Sequence, residues 1–236
     1  MHRMNRRVVK FLAAVFALAL LSICASLTAQ QSYPPPYPRK NAKLVLQNER
    51  VNAWEVYWPK GEPTPMHEHT IDQLSITLNG GSVRVTTREG KVNEGHSHLG
   101  MVVFTPHGTV HQEEGTSDMP QHKIMLEIKP SPASSSPDAD AGRGFPPEGA
   151  VKALENDRLI AWDYTWNPRE NVSMSENFDS VTVFLVGGTI RTSRAGAPVT
   201  EIERKPGDVL YQPRDEGTQV EEVVNGSPRA IIVQLK

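Results

Sequence analysis

Apolar residues in this chain come in short runs rather than long stripes. Val51–Trp58, Leu74–Leu78, Ser82–Thr87, Met101–Phe104 and Ile124–Ile128 are each rich in Val, Ile, Thr and aromatic residues. Turn signals separate them: Pro59-Lys60-Gly61, Asn79-Gly80-Gly81, Arg88-Glu89-Gly90 and Pro106-His107-Gly108. Runs of this length between Gly and Pro punctuation predict β-strands. No segment after the N-terminal 29 residues keeps a 3.6-residue apolar period, so helices are not expected. Many short strands with tight turns predict a sandwich, jelly roll or small barrel.

The pattern occurs twice. Leu46–Glu55 (LQNERVNAWE) aligns with Leu154–Asp163 (LENDRLIAWD). Asn79-Gly80-Gly81 aligns with Val186-Gly187-Gly188, and Gly100–Pro106 with Gly207–Pro213. The copies close alike, in KIMLEIK (Lys123–Lys129) and AIIVQLK (Ala230–Lys236). A repeat of this size predicts two barrels in one chain. Between them, residues 130–150 are rich in Pro, Ser, Ala and Gly and read as a linker. Residues 30–39, within QQSYPPPYPRK, read as an extended, exposed proline-rich spacer. The expected domains are therefore 40–129 and 151–236.

The N-terminus has a different character. Arg3, Arg6, Arg7 and Lys10 precede an apolar run from Phe11 to Ala25 that ends in small residues up to Ala29. This is the layout of a secretory signal peptide over residues 1–29. The run is short of the roughly 20 residues of a membrane span. An exported chain, periplasmic or extracellular, with no stable span after cleavage is expected. The route (Sec, twin-arginine or lipoprotein) is open.

Charge and cysteine content narrow the chemistry. The 236 residues carry a net charge of −2. Removing residues 1–29 takes four positive and no negative charges, and −2 becomes −6. That balance argues against nucleic acid as a partner. The single cysteine, Cys24, lies in the signal segment, so a disulfide framework and a thiolate zinc cluster are excluded. Histidine, carboxylates, amides and hydroxyls remain.

Apart from His2, all the histidines lie in the first copy: His67, His69, His96, His98, His107, His111 and His122. On a strand, residues two apart share a face, so His67 and His69 present two imidazoles side by side. Gln73 has the same parity, and His111 is the candidate third imidazole. Neutral imidazoles suit Fe, Mn, Ni, Cu and Zn. His96-Ser97-His98 is a second His-x-His pair without supporting spacing, and it reads as a solvated turn or rim. His107 reads as an exposed turn residue and His122 as a rim or surface residue.

The wider spacing is more specific. Five residues separate Gly61 from His67-x-His69, three separate His69 from Gln73, and six separate Gln73 from Gly80. Five residues then separate Gly100 from Pro106-x-Gly108, and two separate Gly108 from His111. This resembles the two motifs of the cupin superfamily, G(X)5HXH(X)3–4E(X)6G and G(X)5PXG(X)2H(X)3N, at eight fixed positions. The resemblance implies an all-β fold of two tandem jelly-roll barrels, a bicupin, with one divalent transition metal in the first. It implies His67, His69 and His111 as ligands. Gln73 stands where the family has Glu, and Gly115 where it has Asn. Gln73 either ligates through its amide oxygen or only hydrogen-bonds a ligand water. A glutamine adds no negative charge, so the site is expected to favour an anionic substrate.

In the second copy, Met174, Glu176, Ser180 and Thr218 align with His67, His69, Gln73 and His111. They are no credible transition-metal set, so that barrel reads as structural or as the site of an organic ligand. The family contains dioxygenases and isomerases, and a metal-dependent enzyme of either type on a small organic or sugar-acid substrate is the leading expectation. The alternative is a non-catalytic metal- or sugar-binding protein. Glu55, Glu68, Glu113 and Glu114 are candidate acid–base groups, with Glu68 pointing away from the ligands by parity. A homo-oligomer is a further expectation.

Overall fold

The computed structural model describes residues 32–130, 145–168, 170–174, 178–214 and 217–236. The expected signal segment, residues 1–29, and most of the expected linker lie outside these residues. Among them there are sixteen strands and no helix. The first copy holds β1 (Ala42–Gln47), β2 (Val51–Trp58), β3 (His67–Glu68), β4 (Asp72–Thr77), β5 (Gly81–Thr87), β6 (Val92–Ser97), β7 (Val102–Thr105), β8 (Val110–Gly115) and β9 (Gln121–Ile128). The second holds β10 (Val151–Glu155), β11 (Leu159–Thr165), β12 (Asn171–Met174), β13 (Ser180–Arg194), β14 (Thr200–Arg204), β15 (Val209–Gln212) and β16 (Gln219–Leu235).

In the first copy, a five-stranded sheet β1-β2-β9-β4-β7 faces a four-stranded sheet β3-β8-β5-β6. Every pairing is antiparallel. In the second copy the same path is drawn with longer strands. β13 does the work of β4 and β5, and β16 that of β8 and β9, in one sheet β10-β11-β16-β13-β14 with β12 and β15 at its sides. β13 passes through Gly187-Gly188, the positions aligned with the β4–β5 turn. A Cβ at Gly187 would lie 2.6 Å from the Arg204 carbonyl, and one at Gly188 2.8 Å from that of Asn225. Glycine lets the neighbouring strands close here.

The central strands β4 and β9 of the five-stranded sheet are buried on both faces along most of their length. One face lines its own barrel. The other packs on the matching sheet of the second barrel. Val51, Ala53, Leu74, Ile76, Leu78, Ile124, Leu126 and Ile128 meet Leu159, Ala161, Val181, Val183, Leu185, Ile231, Val233 and Leu235 in one core. Taken in order, these are equivalent positions of the repeat, so the interface is pseudo-twofold.

Polar clamps obey the same symmetry. Asn48 Oδ1 accepts from the Arg50 and Val51 amides, as Asn156 Oδ1 does from Arg158 and Leu159. Each turn thereby aims an arginine at the other barrel. Arg50 pairs with Asp179 at 3.0 Å and donates to the Lys236 carbonyl. Arg158 pairs with Asp72 at 2.8 Å and donates to the Lys129 carbonyl. The repeat's best-matched polar residues are thus the fasteners between the barrels.

The proline-rich spacer is only partly as expected. Pro36 and Tyr37 are buried, and Tyr37 stacks on Trp54 with centroids 4.8 Å apart. Its ring adds apolar area to the first barrel's core beside Trp58, Val83 and Met125. An aromatic residue there can bury a large area, which the surrounding prolines concealed.

Candidate metal centre

The first barrel brings its two sequence motifs together by backbone pairing. β3 runs antiparallel to β8 with His67 opposite His111. The His69 amide donates to the Thr109 carbonyl at 2.9 Å, and the Gly108 amide donates to the His69 carbonyl at 2.7 Å. The Pro106-His107-Gly108 turn is therefore tied directly to the residue it must face. Its other end is anchored by Asp72, which accepts from the His107 amide and ring. Asp72 is also the partner of Arg158, so the turn rests on the inter-barrel clamp.

His67, His69 and His111 converge, with one ring nitrogen of each lying within 4.8 Å of the others. Among the described residues this is the one group of three or more such side chains placed to share an ion. His67 Nδ1 lies 3.0 Å from the Pro65 carbonyl, which fixes the tautomer and leaves Nε2 as the ligand atom. His69 Nε2 and His111 Nε2 are 3.0 Å apart. Two nitrogens bound at right angles at about 2.1 Å from one ion stand about 3.0 Å apart. Burial holds the His67 imidazole below its usual pKa, against the opposing hydrogen bond to Pro65. Burial and then the His111 and His67 rings push His69 down to about 4. These two rings are neutral at neutral pH, as ligation requires.

Gln73 lies on β4, between Thr105 of β7 and Glu127 of β9. It is buried beside the His69 ring, and its Oε1 accepts no hydrogen bond of normal geometry. A buried carbonyl oxygen with so little hydrogen bonding is costly. Three imidazoles and this oxygen fit a divalent transition ion, and imidazole accepts iron, manganese, nickel, copper and zinc alike.

His69, Gln73 and His111 border a cavity of about 320 Å³. Val83, Val85, Val103 and Met125 give it apolar walls. Two charged residues that the sequence did not place also line it, Glu113 and Lys123. Glu113 is two residues after His111 on β8 and shares its face, so strand parity was the available signal. Lys123 interrupts an apolar strand, and its repeat equivalent is Ala230. The Trp58 indole donates to Glu113 Oε2 at 3.3 Å. Burial raises the Glu113 carboxyl, but His111, His67, Lys123 and Arg39 outweigh it and hold it below the usual carboxylate range. Burial lowers the Lys123 ammonium against the pull of Glu113.

The other candidates fall elsewhere. Glu68 is on β3 and does not line the cavity. Glu114 pairs with Arg84, and Glu55 accepts from His122 and Tyr57. His122 stacks on Tyr57 and His107 is an exposed turn residue. His96 and Ser97 end β6 at the cavity edge, so His96 belongs to a rim strand, and His98 follows it outside the strand.

Gly115 answers its departure from the motif. A Cβ there would fall on the Trp58 carbonyl oxygen, where the chain bridges Lys60 to Gly115. Restoring the family residue with Gly115→Asn is expected to destabilise the chain by about 3 kcal/mol, because backbone cannot yield as a side chain does. Urea unfolding checks this; an unchanged midpoint would refute it.

The second barrel corrects one alignment. Met174 of β12 lies opposite Gln219 of β16, as His67 lies opposite His111. Gln219, not the exposed Thr218, takes the place of His111; the segment from Pro213 to Gln219 is one residue longer than that from Pro106 to His111. Ser180 does take the place of Gln73, opposite Gln212 and Gln234. Glu176 lies outside the described residues.

No protein-family model matches the chain, and no curated protein matches it. Solved structures do. AerE from Microcystis aeruginosa superposes with a TM-score of 0.62 at 11% identity, over 87% of this chain and 99% of that one. A cupin 2 conserved barrel domain protein from Leptotrichia buccalis gives 0.53 at 11%, over 85% and 92%. A mutant of oxalate decarboxylase from Bacillus subtilis gives 0.57 at 12%, over 85% and 74%. At such identities the likeness is one of fold. The chain is therefore a two-barrel protein of the cupin fold, with a cluster of three histidines, His67, His69 and His111, in its first barrel.

Proposed function

We propose that the first barrel is a metal-dependent enzyme of the isomerase-like, proton-transferring type, acting on a small anionic organic molecule outside the cytoplasm. The observation that carries this reading is the three-imidazole cluster, two of whose rings, His69 and His111, share one cavity of about 320 Å³ with Glu113 and Lys123. A passive binding site needs no carboxylate beside a ligand cluster; proton transfer does. His67, His69 and His111 would hold the ion, with Gln73 as a fourth, uncharged donor. The ion would supply Lewis-acid polarisation of a substrate oxygen.

The protein's own groups do the rest. The Lys123 ammonium attracts the substrate's negative charge, and Gln73 adds no negative charge to that of Glu113. The Glu113 carboxylate would accept a proton from the carbon alpha to the polarised carbonyl and return it. The Trp58 N–H holds the carboxylate in place. Val83, Val85, Val103 and Met125 limit water. The composition of residues 1–29 supports export as part of this reading.

The test is isotope exchange in D2O with the metal-loaded chain and a panel of small hydroxy and keto acids. Manganese is one metal to load, since the Bacillus subtilis oxalate decarboxylase has Mn(II) centres. Carbon-bound hydrogen of one acid is expected to exchange. Glu113→Gln is expected to slow exchange by about 100-fold or more with metal content unchanged. Oxygen uptake linked to a substrate would instead support the dioxygenase-like reading. No exchange and no turnover with any metal would leave a binding protein.

A further inference from the structure

We infer that the second barrel, which has no histidine, carries its own binding site for a small organic carboxylate. The site is a pocket of about 260 Å³ in the mouth of that barrel. It is below the roughly 300–1,000 Å³ of drug-sized pockets, so the ligand is small.

Parity sorts the charges. Thr192 and Arg194 of β13 and Thr200, Ile202 and Arg204 of β14 line the pocket. Arg191 faces the other way, with Glu201 and Glu222 as partners. Two cations therefore occupy inward positions that barrels ordinarily fill with apolar side chains. The inward acid is Glu221, buried and accepting from the Trp166 indole at 2.8 Å. The lining keeps a net positive charge.

Hydrogen bonds then fix which groups remain to meet a ligand. An arginine only donates, so Gln219 Oε1 accepts from Arg194 at 2.9 Å. The Gln219 amide nitrogen is then the donor, to Glu221 Oε1 at 3.0 Å and Gln212 Oε1 at 3.2 Å. That orients Gln212 with its oxygen committed and its Nε2 uncommitted. Arg204 lies over the Phe184 ring, 5.4 Å from the centroid, and its guanidinium makes no hydrogen bond to a described residue. What the pocket offers is a surplus of donors: a pre-positioned guanidinium and an amide N–H. A carboxylate accepts from such a planar fork through both oxygens. Leu210, Ile202 and Pro198 give apolar wall for a short hydrocarbon tail, which inorganic phosphate lacks.

This site stands apart from the histidine cluster and holds whether or not the first barrel is an enzyme. Calorimetric titration of the metal-stripped full chain with butyrate tests it, with inorganic phosphate alongside at equal ionic strength. One butyrate per chain is expected, bound at least tenfold more tightly than phosphate. Arg204→Gln is expected to weaken binding by at least tenfold. Gln212→Glu, which keeps the acceptor for Gln219 and sets a carboxylate against Arg204, is expected to do the same. His111→Ala is expected to leave it unchanged. Absence of butyrate binding, phosphate binding equally well, indifference to either second-barrel substitution, or loss in His111→Ala would each overturn the inference.

Discussion

Adding a divalent transition metal to the metal-stripped chain is expected to raise its melting temperature by about 5–11 °C, and His111→Ala to abolish the rise. At one hundred times its dissociation constant, a ligand that binds only the folded state stabilises by about 2.7 kcal/mol. For 150–250 residues each kcal/mol moves the midpoint by about 2–4 °C. His111 is the substitution to choose because it joins the two motifs: it lies opposite His67 and its Nε2 is 3.0 Å from that of His69. Its loss leaves two imidazoles and an amide oxygen, too few strong donors to retain the ion at that concentration. His96→Ala provides the comparison, since His96 is exposed at the rim and should keep the full rise. An equal rise in wild type and His111→Ala would place the metal elsewhere.

Arg50→Ala is expected to destabilise the chain by about 3 kcal/mol, and Arg158→Ala by about 1. The two arginines are equivalent in the repeat and make equivalent bonds, but their surroundings differ. The Arg50–Asp179 pair is 4% and 8% exposed, whereas Arg158 is 31% exposed opposite Asp72. Breaking a buried pair strands a charge and costs about 3–5 kcal/mol, while exposed pairs are worth about 0–1. Arg214 also binds Asp179 and moderates the loss, which puts the figure at the low end. Thermal melts should show a drop of about 6–12 °C for Arg50→Ala. Equal drops for the two variants would mean that burial does not set the strength of this clamp.

The sequence reading reached far where a rule couples residues at a fixed spacing. Gly100, Pro106-x-Gly108 and His111 are spaced so that the turn can bond His69, and the structure shows those bonds. The repeat also held more than it disclosed: aligned Asn-x-Arg segments proved to be the clamps between barrels. Strands such as β6 (VNEGHS) and β8 (VHQEEG) escaped because they are polar. β6 is a solvent-facing edge, and β8 turns charge inward to the cavity. Lys123 was hidden for the same reason, and Glu113, one of four candidate acids, was not singled out, since functional strands break the apolar pattern that reveals ordinary ones. Tyr37 was hidden by its proline neighbours, and one extra residue between Pro213 and Gln219 moved the second-barrel equivalence from Thr218 to Gln219.

The most direct measurement is elemental analysis of the purified chain beside the double variant His67→Ala/His111→Ala. About one iron, manganese, nickel, copper or zinc per wild-type chain, and background in the variant, is the result expected. No metal in the wild type even after reconstitution, or equal metal in both, would contradict a metal centre built from His67, His69 and His111.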